Sequence, residues 1–191
     1  MILLRSVNMK ALLFDLDGTI VDTERLDDIA MQMVLKENGL STKFKAFIGC
    51  TLDEYIASIT IDYQLKQKIK KEFIKKYTSL LRKTELILNH KLLELIKQKS
   101  NLKFALVTSN TKNITTIILR KIGLLKIFDV IITCEDVENQ KPHPEPFLKA
   151  ITKLGVSPNE CIIFEDSQAG LQSAKLAGVN YQKITIGKEV K

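Results

Sequence analysis

Two aspartates, Asp15 and Asp17, close an apolar run in the stretch LLFDLDGTIVDTE, residues 12–24. A buried carboxylate is costly unless it is paired, so the two need partners that offset that cost. Residues i and i+2 of an extended chain point the same way. Asp15 and Asp17 can therefore face one target while Leu16 packs inward. Similar groups follow three other apolar runs. Ser109 and Asn110 follow FALVT, Glu165 and Asp166 follow CIIF, and Lys141 lies in QKPHPEP beyond DVIIT.

Acids, a hydroxyl and a lysine of this kind suit phosphoryl transfer. Asp15, Asp17, Glu165 and Asp166 supply the hard oxygen ligands that magnesium prefers. A phosphate would bridge the metal, Lys141 and Ser109. Gly18 permits close backbone approach, so amides at Gly18 and Thr19 can hold the phosphate as well. Gly18, Thr19, Ser109, Asn110 and Lys141 are the candidate phosphate contacts. One carboxylate attacks phosphorus and forms an aspartyl-phosphate. A second protonates the leaving oxygen and then activates water. Asp15 is assigned to attack and Asp17 to proton transfer, with Lys141 and the metal neutralising the equatorial oxygens.

The elements that must position these groups can be read from periodicity. Lys10–Phe14, Phe104–Thr108, Asp129–Thr133 and Cys161–Phe164 are short apolar runs of the kind found in strands buried on both faces, and Tyr181–Ile186 is a weaker fifth. Helical patterns cover His90–Lys99, Asn113–Ile122, Glu145–Leu154 and Gln168–Ala177; Gly123, Gly155 and Gly178 lie near three of their ends. Strands alternating with helices predict an α/β fold, a Rossmann-like parallel sheet with helices on both faces. In such a sheet, ligands bind beyond the carboxyl ends of the strands, where the candidate residues lie.

Between Asp22 and about Leu88 no buried-strand run occurs. Asp27–Glu37, Leu52–Ile59 and Leu65–Leu81 read as helices, the last carrying Leu65, Ile69, Phe73, Tyr77 and Leu81 on one stripe. The expected division is an α/β core of residues 1–21 and 88–191 with a helical insertion over residues 22–87. Met31 and Met33 are expected to pack inside the insertion. The lysines between Lys66 and Lys83 fall mainly off the apolar stripe and read as a solvated face. Asp136 and Glu138 read as a solvated turn, His143 as a loop residue and His90 as a helix opener. The helix after Ser109 needs an N-cap, which Ser109, Asn110 or Thr111 can supply.

Composition narrows the function classes. The 191 residues suit one core domain with an insertion; 45% are apolar, 27% charged, and the formal net charge is +7. The positive field favours anionic partners. Aromatics are only 6% with no Trp, and no basic-aromatic pattern occurs, which argues against nucleic acid. Cys50, Cys134 and Cys161 form no CxxC pair, so neither a disulfide framework nor a zinc site is indicated and a reducing, cytoplasmic setting is expected. MILLRSV is too short for a signal-peptide core, and no run has the length of a membrane span. Residues 1–8, ahead of Met9, read as a disposable extension or an upstream start. No heptad seam calls for an oligomer, so a monomer is expected.

The sequence resembles the haloacid dehalogenase-like phosphohydrolases, in the branch of the beta-phosphoglucomutase-like sugar phosphatases. The resemblance rests on DLDGT at 15–19, TSN at 108–110, KPHPEPF at 141–147 and FEDSQAGLQSAKLAG at 164–178, in that order. It runs from about residue 10 to 187. It implies Asp15 as nucleophile, Asp17 as general acid/base, and Ser109 and Lys141 as phosphate binders. It also implies magnesium on Asp15, the Asp17 backbone carbonyl, Asp166 and Glu165. The helical insertion is similar to the family's mobile cap, which closes over substrate and excludes water. The expected substrate is a small phosphorylated metabolite.

Several further comparisons with the family bear on this. Mutases of the branch carry a histidine where this sequence has Asp27, which favours a phosphatase. Dehalogenases lack the second aspartate, which Asp17 supplies. Cys50 stands in IGCTLDE where relatives often have a basic residue, the usual proline-glycine pair is absent near LILNHKLLE, and relatives usually continue past the fifth strand. The competing readings are a sugar-phosphate mutase, a receiver-type signalling domain, which places its phosphorylated aspartate on a middle strand, and a binding protein without turnover. Substrate choice is expected in insertion residues such as Thr51, Asp53 and Glu54, with Asp22, Thr23 and Glu24 at the doorway.

Overall fold

The computed structural model describes residues 9–41, 52–98 and 101–186. The readings of residues 1–8, Cys50 and Thr51 lie outside the described residues. The chain divides into two compact units, Met1–Asp22 with Leu88–Lys191 and Thr23–Ile87.

The first unit is built on five parallel strands: β1 (Ala11–Phe14), β4 (Lys103–Val107), β5 (Val130–Ile132), β6 (Cys161–Glu165) and β7 (Asn180–Lys183). Their spatial order is β5-β4-β1-β6-β7. The chain fills one side of β1 and then crosses to the other, so the point of reversal lies at the tip of β1. In register, Phe14 pairs with Leu106 on one side and Phe164 on the other. Two-residue strands β2 (Val21–Asp22) and β3 (Ile87–Leu88) form a separate small ladder.

β1 is apolar at every position because both of its faces are covered. Ala11 and Leu13 join Ala105, Val107 and Ile163 in a cluster with Phe147, Ala150, Ile151 and Leu154 of helix α6 (Glu145–Leu154). Phe14 packs on an aromatic group, stacked on Phe164 at 5.1 Å and edge-on to Phe104 at 5.6 Å. Offset and edge-on ring pairs add to the energy of simple burial. The other helices of this unit are α4 (His90–Lys97), α5 (Lys112–Lys121) and α7 (Gln168–Leu176). Asn89 caps α4 and Thr111 caps α5, each accepting a backbone N–H in the first turn. Of the three candidate caps for α5, the structure uses Thr111. Asp136 is corrected from a solvated turn: its carboxylate accepts from both the amide and the hydroxyl of Thr133. These bonds outweigh desolvation and hold its pKa below the ordinary value.

The second unit is helical: α1 (Glu24–Glu37), α2 (Leu52–Ile59) and α3 (Tyr63–Lys83). α1 presents Leu26, Ala30, Met31, Val34 and Leu35 inward, and α3 presents Ile69, Phe73, Tyr77 and Leu81. Met33 is corrected from a packing residue to a surface one, 42% exposed, because it sits about 200° around the helix from Met31. Asp62 caps α3 through the Leu65 amide, and Asn38 ties the end of α1 to Glu72 at 2.7 Å. Among the described residues, no helix is long and apolar enough to cross a membrane.

Candidate active site

Asp15 follows β1 directly, and its amide still donates to Phe164 O at 3.0 Å. The first candidate carboxylate is thus fixed by the sheet rather than carried on a loose turn. Leu16 is fully buried, and Asp17 stands beyond it, bridged to Val21. Gly18 adopts φ +77, a left-handed conformation that glycine accepts without strain, and its amide donates to Val21 O. A β-carbon at Gly18 would fall into the Asp166 carboxylate. Thr19 is fully buried and donates its hydroxyl to Asp166 Oδ1 at 3.0 Å. The glycine and threonine of DLDGT therefore seat Asp166, bringing the tips of β1 and β6 together.

Lys141 joins three strand ends. Its Nζ donates to Asp15 Oδ1 at 2.7 Å, to Val107 O at 3.0 Å and to Glu165 Oε2 at 2.8 Å. Its side chain is 5% exposed, and the ammonium stands 5.0 Å from the Phe147 ring centre. The ring supplies a further cation–π contact. Glu165 is fully buried. Its Oε1 accepts from the amides of Asp166 and Ser167 and from the Ser167 hydroxyl at 2.9 Å. Ser167 in turn caps α7 through the Gly170 amide at 3.0 Å.

The charge balance at this tip is acidic. Burial pushes the Asp15 carboxyl well above the ordinary carboxylate range; Glu165, Asp17 and Asp166 push the same way and Lys141 opposes them. Burial would lower the Lys141 ammonium, but Asp15 and Glu165 outweigh it and raise it. Asp15 is raised first by burial and then by its acidic neighbours, and Lys141 is raised by the two carboxylates it serves. Oxygens of Asp15, Glu165 and Asp166 lie within 4.8 Å of one another, a hard-oxygen set that fits a divalent cation such as magnesium.

The sheet tip thus gathers Asp15, Asp17, Gly18, Thr19, Lys141, Glu165 and Asp166. Ser109 stands exposed beyond β4, with the capping task taken by Thr111. Asn110 directs its amide to Asp17 Oδ2 at 2.6 Å. Asp53 lies in the helical unit, in an ion pair with Lys70 at 2.7 Å.

Gly170 was not among the residues singled out by sequence. A β-carbon there would occupy the space of the Glu165 carboxylate, which lies against the first turn of α7. Gly170→Ala must therefore displace Glu165 and, through it, Lys141. The expected result is a loss of about 10²-fold in kcat, the scale of an ångström-sized misplacement. Overpacking should also lower stability by about 1–3 kcal/mol, checked by urea unfolding.

The description haloacid dehalogenase-like hydrolase matches residues 12–184. The chain is 35% identical to the YhcW protein of Bacillus subtilis (strain 168) over 184 residues, covering 90% of this chain and 81% of that protein. It is 30% identical to a phosphorylated carbohydrates phosphatase of Thermotoga maritima, covering 90% of this chain and 82% of that protein. Among solved structures, a family IA, variant 3 hydrolase from Entamoeba histolytica superposes with a TM-score of 0.82 at 29% identity, covering 96% of this chain and 86% of that one. The match spans both the sheet with its acidic tip and the helical unit, and on it the chain belongs to the haloacid dehalogenase-like hydrolases, as a phosphoric monoester hydrolase.

Proposed function

We propose that the protein hydrolyses a small phosphate monoester, of the phosphorylated-carbohydrate class, through an aspartyl-phosphate on Asp15. The observation that carries this reading is Lys141, buried between Asp15 and Glu165 at the tip of the central strand. Such a lysine offsets charge where a phosphoryl group would bring more of it. The substrate class follows the Thermotoga maritima relative, a phosphorylated carbohydrates phosphatase.

Asp15 attacks phosphorus, the bond to the leaving oxygen breaks, and Asp17 gives that oxygen a proton. Asp17 then takes a proton from water as the water oxygen bonds to phosphorus and frees Asp15. Inorganic phosphate and an alcohol are the products. Lys141 holds the Asp15 carboxylate in one rotation and neutralises the transferring oxygens. Ser109 is assigned to a phosphoryl oxygen, as is the Thr19 amide; the Gly18 amide, expected from sequence to share this role, is instead given to Val21 O. Asp15 and Asp166, with Glu165 behind them and the Asp17 carbonyl beside them, would hold magnesium. When bound, magnesium supplies charge neutralisation for the transferring phosphoryl group. The helical unit, residues 23–87, is assigned to substrate selection.

The test is phosphate release across a panel of phosphorylated sugars with magnesium present. Release is expected without a bisphosphate activator, to cease on chelation and to return when magnesium is restored. Conversion of a sugar phosphate to its isomer without release would make the protein a mutase. Absence of both activities across the panel would overturn the enzymatic reading of the site.

A further inference from the structure

Asn110 follows the exposed Ser109, and the sequence reads both as phosphate contacts. The structure gives Asn110 another occupation. Its Nδ2 donates to Asp17 Oδ2 at 2.6 Å, and the Thr108 hydroxyl approaches the same oxygen at 3.4 Å. The Asn110 amide donates to that hydroxyl at 3.1 Å. Thr108 and Asn110 therefore brace each other while both address one oxygen of Asp17.

The brace is itself anchored. The Thr108 amide donates to Ile132 O at 3.0 Å, and the Asn110 carbonyl accepts from the Cys134 amide at 3.0 Å. Both ends of the turn after β4 are thus tied to β5 and the residues that follow it. The Asp17 backbone is fixed by its bridge to Val21. The plane of the Asp17 carboxylate is what Asn110 adds to this frame. A proton donor must present its carboxyl to the leaving group in one orientation, and a bond to Oδ2 fixes that orientation. A charged acceptor makes this hydrogen bond stronger than a neutral one.

We propose that Asn110 is a positioning residue for the proton-transfer group Asp17, rather than a phosphate contact. The inference rests on the assignment of Asp17 as general acid made above. It separates from that assignment through the leaving group. An alkyl phosphate needs a proton on its departing oxygen, whereas a nitrophenyl phosphate expels a stable anion and needs it far less. kcat/KM reports the steps through transfer to Asp15, so the comparison isolates the acid step.

The experiment measures kcat/KM for sugar phosphates, glycerol phosphate and p-nitrophenyl phosphate with the unmutated protein, Asn110→Ala, Asn110→Asp and Asn110→Gln. For Asn110→Ala the loss on alkyl esters is expected to exceed the loss on the nitrophenyl ester by about 10–100-fold. Asn110→Asp, which keeps the shape but loses the donor, should show at least the same selectivity. Asn110→Gln, which keeps the donor on a longer arm, should recover part of the alkyl rate. An equal loss on all esters would overturn the proposal and return Asn110 to phosphate binding. A rise in alkyl turnover would overturn it as well, since Asn110 would then be restraining Asp17. Failure of the unmutated protein on both ester classes would instead bring down the phosphatase reading, and the positioning role with it.

Discussion

Asp15→Asn is expected to abolish phosphate release and, in metal-free protein at neutral pH, to raise the unfolding temperature. The two effects have one source. With Asp15 as the proposed nucleophile, its removal should cost on the order of 10⁴-fold or more in kcat, because the remaining groups cannot replace the bond it forms. Stability moves the other way. Burial lifts the folded pKa of Asp15 well above its ordinary 3.8. A raised acid contributes stability that is full below its unfolded pKa and lost as pH rises through its folded one. Above its ordinary titration range the buried group is a net cost to the fold, and the neutral amide removes it. Thermal scans from about pH 4 to pH 8 should show the gain of the variant growing with pH. Magnesium should narrow the gap by stabilising the unmutated protein more than Asp15→Asn, since ligation favours the folded state. A variant that unfolds earlier than the unmutated protein at every pH would contradict this electrostatic reading of the strand tip.

Lys141→Met is expected to destabilise the protein and disable the site together. The ammonium joins β1, β4 and β6 through Asp15, Val107 O and Glu165. Methionine nearly preserves the volume and removes the charge, leaving two buried carboxylates facing each other. Breaking a buried ion pair from one side costs about 3–5 kcal/mol. A raised lysine contributes stability that is full below its unfolded value of 10.5 and lost only as pH rises through its folded one. The unmutated protein therefore keeps this clamp through the neutral range. In the variant, protonation of Asp15, already raised by burial, should recover part of the loss as pH falls, which urea unfolding at several pH values would detect. Activity should fall by about 10²–10³-fold, the scale of losing one charge-stabilising donor. A stable variant with near-normal turnover would show that Lys141 is only a packing group.

Much of this was legible in the sequence for identifiable reasons. β1, β4, β5 and β6 are buried, or nearly so, along most of their length, so each appears as an apolar run of strand length. α6 begins at Glu145 and ends at Leu154 as expected because Pro144 and Gly155 punctuate it, the latter in a left-handed C-cap. α1 begins earlier than Asp27 because Leu26 already belongs to its buried stripe. Glu165 proved to be the last residue of β6, in its ladder with Lys183, and its carboxylate is buried against the first turn of α7. Strands β2 and β3 were not legible, since two residues carry no periodicity.

The acids and Lys141 were readable as types at strand ends, but their division of labour was not. Gly170 looks unremarkable in an alanine-rich helix, and its importance lies in the Glu165 carboxylate folded against it. Asn110 sits beside Ser109 in sequence, yet a turn directs its side chain to Asp17. Thr133 and Asp136 follow the spacing of a capping box and could have been recognised as one.

The claim that Asp15 becomes phosphorylated has a direct measurement. Asp17→Asn weakens the group that activates water, while a nitrophenyl phosphate still transfers its phosphoryl group without much help from an acid. The variant should be incubated with that ester and magnesium, quenched in acid, digested and examined by mass spectrometry. The mass of one phosphoryl group is expected on the peptide carrying Asp15, and is expected to be absent from Asp15→Asn treated alike. Release of nitrophenol by Asp17→Asn with no phosphoryl group on that peptide at any quench time, or with the group on another residue, would contradict it.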